Sequence, residues 1–90
     1  MNVGVLASGT GTNLQALIDR AHGHGGVRIV AVGSDRPEAQ ALERARAACI
    51  EVRAFEVSEF ADRRERDLAI AGWMGARGVE LVVAAGYMRL

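Results

Sequence analysis

Ala7-Ser8-Gly9-Thr10-Gly11-Thr12-Asn13-Leu14 joins an apolar run to an amphipathic helix, and that junction organises everything after it. Upstream, Val3, Val5 and Leu6 form a short segment rich in β-branched residues; downstream, Leu14, Leu17, Ile18 and Ala21 recur at helical spacing. The glycines therefore sit at a strand-to-helix turn. A helix N-terminus leaves amides without intrahelical partners and carries partial positive charge, and glycines let the backbone approach an anion closely. The stretch reads as a phosphate cradle, with Thr10, Thr12 and Asn13 adding side-chain donors. A bare tight turn, with Thr12 or Asn13 as N-cap, is the structural alternative.

The spacing excludes two common phosphate sites. No Lys follows the second glycine, so the Gly-Lys-Ser/Thr end of an NTP-binding loop is missing. A dinucleotide fingerprint wants Gly or Ala three residues after Gly11, and Leu14 stands there. A phosphomonoester is the better guest.

Ninety residues allow one small domain with a thin core, read here as a single unit over 1–90. Half the residues are hydrophobic, but in runs too short and interrupted for a membrane span. Eleven basic and eleven acidic residues balance, so neither nucleic acid nor an anionic membrane is indicated as a partner. Every basic side chain apart from histidine is arginine, which excludes Schiff-base chemistry from this chain. The single cysteine, Cys49, cannot form an internal disulfide and is expected in the core. With no secretory signal at the N-terminus, the expected compartment is the cytoplasm.

Taken in order, residues 2–7 form strand one and Thr12 to Ala21 helix one, closed by His22-Gly23-His24-Gly25-Gly26. The two histidines have no acidic or thiol partner nearby, so no metal is expected. Val27 to Val32 forms strand two, apolar enough to be covered on both faces. Asp35 is expected to cap helix two, with Pro37 at its first position and the helix running from Glu38 to Ala48. Strand three spans Ile50 to Phe55. Helix three extends from Ala61 to Arg77, its charged first turns (Asp62 to Asp67) reading as a solvated face and its glycines at 72, 75 and 78 weakening the end. Strand four is Leu81 to Ala85, and Gly86-Tyr87-Met88-Arg89-Leu90 follows.

Strands alternating with helices predict an α/β fold: a Rossmann-like parallel sheet of order 3-2-1-4 with helices on both faces. The switch point then lies between strands one and four, where ligands bind. The loops meeting there are the Ser8–Asn13 cradle and the segment from Gly86 to Leu90.

With both loops in view, Ser8-Gly9-Thr10-Gly11-Thr12-Asn13-Leu14-Gln15 and Ala85-Gly86-Tyr87-Met88-Arg89-Leu90 resemble the glycinamide ribonucleotide formyltransferases, folate-dependent enzymes of purine biosynthesis. Leu42-Glu43-Arg44-Ala45 and Phe60-Ala61-Asp62-Arg63 are similar too, so the resemblance runs along the whole chain. Departures are modest: Asp35 replaces a common Asn, and Ala41 and Cys49 stand where glycine is frequent. The resemblance implies attack of the glycinamide ribonucleotide amine on the formyl carbon of 10-formyltetrahydrofolate, the cosubstrate, through a tetrahedral intermediate and without a metal. It implies that Gly11, Thr12 and Asn13 hold the substrate phosphate and that Gly86 and Met88 lie by the glycinamide end. Folate would meet Met88, Arg89, Leu90 and Arg63, with Arg64 the alternative to Arg63.

The family's Asn, His and Asp that manage the intermediate lie beyond the fourth strand. No catalytic residue is therefore expected in this chain, which reads as the substrate-binding half and is expected to be inactive alone. Val79 to Ala85 is apolar, lacks proline and carries only Glu80 as a charge, so self-association through an exposed fourth strand is expected. Two other classes remain open on residues alone. One is a dinucleotide-binding half-domain using Asp35 for ribose; the other is a non-catalytic flavodoxin-like binding module.

Overall fold

A computed structural model describes residues 1–85. Its strands are β1 (Asn2–Ala7), β2 (Arg28–Ser34), β3 (Glu51–Ala54) and β4 (Leu81–Ala85). Its helices are α1 (Thr12–Arg20), α2 (Gln40–Ala47) and α3 (Arg63–Ala76). The strands form one parallel sheet in the order β3-β2-β1-β4, as the alternation of strand and helix predicts. No helix among the described residues is long and apolar enough to cross a membrane.

Two cores cover the two faces of the sheet. On one face Val3, Val5 and Ala7 of β1 meet Leu14 of α1 and Ala41, Leu42 and Ala45 of α2. On the other, Phe55 packs with Ile70, Trp73 and Met74 of α3, against Leu6 and Ala31. Period-two alternation in β1 places Gly4 on the α3 side, where a Cβ would collide with the Met74 thioether. In β2 the pairing skips one residue: Val3 faces Ile29 while Gly4 faces Ala31. This bulge lets Ile29 and Val32 serve the same core although they are three apart.

Several boundaries depart from expectation, each for a local reason. Helix two does not begin at Glu38, and Asp35 does not cap it: its N-cap is Ala39, with no side-chain cap. The Ser34 hydroxyl instead accepts the Arg36 amide at 3.3 Å, and the Ala39 amide bonds the Arg36 carbonyl at 3.3 Å. The chain thus spends Asp35 to Ala39 in turns, and Pro37 lies outside the helix. Helix three starts at Arg63 rather than Ala61, because the Asp62 carboxylate accepts the Glu65 amide at 2.8 Å and fixes the cap. Strand two runs from Arg28 to Ser34 rather than from Val27 to Val32, and strand three is shorter, Glu51 to Ala54.

Cys49 is exposed, not part of the core. It follows α2 with φ 61°, and its amide bonds the Arg46 carbonyl at 2.9 Å while that of Ile50 bonds the Ala45 carbonyl at 2.9 Å. This pair is a Schellman motif, whose left-handed position ordinarily takes glycine. The twist turns the thiol to solvent and sends Ile50 inward. Cys49→Gly is therefore expected to stabilise the chain by about 1 kcal/mol, by removing the Cβ penalty of a left-handed residue. Thermal unfolding checks it: a midpoint raised by roughly 4–8 °C is expected for a domain of this size.

The charged start of α3 is a solvated face with one exception. Arg66 is only 5% exposed, and its Nε has no hydrogen-bond partner among the described residues. It stands four before Ile70 and seven before Trp73, on the stripe that α3 turns to the sheet. Gly72 and Gly75 lie in open space on the other face, and the helix runs past both.

Candidate phosphate-binding site

The cradle forms where β1 ends. Gly9 and Gly11 both take left-handed backbone, φ 63° and 75°, a conformation that costs a side-chain-bearing residue energy. Gly11 is the N-cap of α1, and its carbonyl accepts the Gln15 amide at 2.8 Å. Neither Thr12 nor Asn13 caps the helix, since its first turn has no side-chain cap at all. Both are exposed, and their amides make no hydrogen bond with the described residues. Two donors of a helix N-terminus thus face solvent at a glycine turn, the arrangement that binds anions.

Gly11 is constrained twice over. Besides its positive φ, a Cβ there would stand 2.5 Å from Ala41 Cα and 2.8 Å from Ala41 Cβ. The first turn of α2 therefore abuts the cradle. It also bonds to it: the Ala41 amide donates to the Gly9 carbonyl at 3.3 Å, and Arg44 Nε donates to the Thr10 carbonyl at 2.6 Å.

Ser8, Gly9, Thr10, Gly11, Thr12 and Asn13 line a concavity of about 290 Å³ together with Ala85. Ala85 is the β4 residue paired with Ala7 of β1, so the concavity lies at the predicted switch point. Among the described residues its lining holds amides, hydroxyls and one carboxamide but no acid and no base. These groups can bind an anion; none of them is a proton donor or acceptor of the acid–base type. Leu14, fully buried, anchors the helix behind it.

Three of the residues singled out from sequence, Gly11, Thr12 and Asn13, come together here. Arg63 and Arg64 are exposed on the first turn of α3, which packs on the opposite face of the sheet from α1. Gly86, Met88, Arg89 and Leu90 lie outside the described residues. Asp35, at the end of β2, is buried rather than presented to the concavity. His22 belongs to the far end of the sheet, where its Nδ1 accepts the Ile29 amide at 2.9 Å and tethers the turn after α1.

What sequence inspection missed is Arg44, which joins two segments 34 residues apart. Its place in Leu42-Glu43-Arg44-Ala45, one of the stretches that carry the resemblance, was the signal available.

Comparison with known proteins agrees with this fold. The profile of a family described as formyl transferase matches residues 1–90. The phosphoribosylglycinamide formyltransferase of Mycobacterium tuberculosis is 43% identical over 86 residues, which cover 96% of this chain and 40% of that protein. Its counterpart from Haemophilus influenzae is 39% identical over 89 residues, covering 98% and 42%. Among solved structures, glycinamide ribonucleotide transformylase 1 from Symbiobacterium toebii superposes with a TM-score of 0.92 at 44% identity, covering all of this chain and 43% of that one. The chain thus spans about two fifths of the length of each of these relatives.

Proposed function

Because the chain belongs to the formyl transferase family over residues 1–90, we propose that it supplies the phosphate-binding part of a phosphoribosylglycinamide formyltransferase. Such an enzyme passes a formyl group from a folate-derived donor, here 10-formyltetrahydrofolate, to the amine of glycinamide ribonucleotide in purine biosynthesis. One observation carries the assignment: the amides of Thr12 and Asn13, unpaired among the described residues, open beside a glycine that admits no Cβ, at the rim shared by β1 and β4. That donor set suits a phosphomonoester, whose charge the helix N-terminus also favours. Gly11, Thr12 and Asn13 hold the phosphate, while Gly86 and Met88 approach the glycinamide end. Folate is assigned to Met88, Arg89 and Leu90, with its acidic tail on Arg63, or on Arg64 one position along.

The role proposed is binding and orientation. Fixing the phosphate places the distant amine, and that positioning is itself a catalytic contribution. No described residue at the concavity can shuttle the amine's proton, so the 90-residue chain is expected to bind substrate without turning it over. The cytoplasm is the compartment proposed, in keeping with a single unpaired thiol.

Calorimetric titration tests the assignment. Glycinamide ribonucleotide is expected to bind saturably, more weakly after Asn13→Ala, and NAD is expected not to compete. Tight NAD binding lost in Asp35→Ala would support the dinucleotide alternative instead.

We also propose self-association through β4. Its Leu81 and Val82 are 48% and 47% exposed, and among the described residues β4 pairs only with β1. The opposite edge, β3, is guarded by charges at Glu51 and Arg53, whereas β4 has none. Sedimentation velocity at high micromolar concentration is expected to show association that Val82→Lys suppresses; a monomer throughout contradicts it.

A further inference from the structure

We infer that Arg44 is a positioning residue for the phosphate cradle: from α2, it fixes the orientation of the peptides that present the anion-binding amides. The inference rests on the phosphate assignment above.

A trans peptide is planar, with its carbonyl and its N–H on opposite sides. The Gly9 carbonyl is held by the Ala41 amide at 3.3 Å, and the Thr10 carbonyl by Arg44 Nε at 2.6 Å. Both donors belong to the first turns of α2. The N–H groups of Thr10 and Gly11, the other halves of those two peptides, must therefore face away from α2. No α2 residue lines the concavity, so that direction is the ligand's side. With the Thr10 carbonyl pinned, Gly11 is held at φ 75°, and from there α1 begins with Thr12 and Asn13 directed at the same space.

Arg44 is itself anchored. Its Nη1 lies 3.4 Å from Gln15 Oε1, and Gln15 Nε2 donates to Asp19 Oδ1 at 3.0 Å. The guanidinium thus bridges the cradle and α1, and its charge strengthens the bond to the carbonyl. A planar fork makes two such contacts at once, which an ammonium cannot reproduce. Arg44 reaches the ligand only through the backbone it holds.

Arg44→Met and Arg44→Lys, titrated with glycinamide ribonucleotide and with inorganic phosphate beside the unchanged chain, test the inference. Loss of a charge-assisted anchor is expected to weaken both ligands about tenfold in Arg44→Met, and about threefold in Arg44→Lys, which keeps the charge but places all its donors on one nitrogen. In ligand-free ¹H–¹⁵N spectra the Gly11 and Thr12 amides are expected to move in both variants while those of β3 stay in place, a pattern that general destabilisation would not give. Unaltered affinity in folded Arg44→Met, with the unchanged chain binding normally, overturns this inference alone. Failure of the unchanged chain to bind either ligand overturns the phosphate assignment with it. If Arg44→Met does not fold, Arg44→Lys decides: equal affinity and an unmoved Gly11 resonance overturn the inference.

Discussion

Gly11→Ala is expected to abolish phosphate binding and to destabilise the chain by about 3–4 kcal/mol, through two of the mechanisms that produce large effects, backbone strain and overpacking. The first contribution is conformational, since φ 75° costs an alanine about 1–2 kcal/mol. The second is steric. The new Cβ would lie 2.5 Å from the Cα of Ala41, and a backbone atom cannot rotate aside as a flexible side chain can. Relief requires α2 to back away from α1, which breaks the bonds from Ala41 and Arg44 to the cradle. Gly9→Ala is the internal control: its φ is also positive, 63°, but nothing lies within 4 Å of the added atom. It is expected to cost only about 1 kcal/mol. Urea denaturation measures both, with a shift in midpoint at unchanged slope marking a true change in stability. Equal losses for the two variants would mean that contact with α2 is unimportant.

Phe55→Ala is expected to cost about 3–5 kcal/mol, the ordinary range for emptying a fully buried aromatic site. Phe55 is 1% exposed and joins β3 to the underside of the sheet. Its ring meets Trp73 edge-on at 5.6 Å and stacks near Phe60 at 6.5 Å. Arg53 lies over one face of it, 4.7 Å from the centroid. A chain of this length has only about 4–13 kcal/mol of total stability, so this one truncation takes a large share of it. Near-ultraviolet circular dichroism of Trp73 under mild denaturant is the direct measurement. Retention of the native Trp73 signal at the urea concentration that half-unfolds the unchanged chain would contradict the expectation.

The sheet and the cradle were legible because each rests on local pattern. Val3, Val5 and Ala7 alternate, Leu14, Leu17 and Ile18 recur at helical spacing, and two glycines separate the sets. Once four strands were separated by three helices, the order β3-β2-β1-β4 followed from handed crossovers, and with it the meeting of Ala85 and the cradle. Other features depended on contacts that residue type does not report. Asp35 and Pro37 resemble a helix start, yet the Ser34 hydroxyl captures the Arg36 amide and delays the helix to Gln40. Cys49 has the chemistry of a core residue but occupies a left-handed position, which decides its exposure instead. Arg66 was hidden among charges, although its spacing to Ile70 and Trp73 placed it on the buried stripe. Arg44 could not be paired with Thr10 from sequence, because nothing local ties residues 34 apart.

The Ser8–Asn13 turn is proposed to receive the phosphate of a small phosphomonoester. Phosphorus NMR of glycinamide ribonucleotide, followed as the chain is added, observes that group itself. A saturable shift of the phosphate resonance, absent with Gly9→Ala/Gly11→Ala and intact with Cys49→Gly, is the predicted result. A resonance that stays in place at every concentration of the folded chain would contradict it.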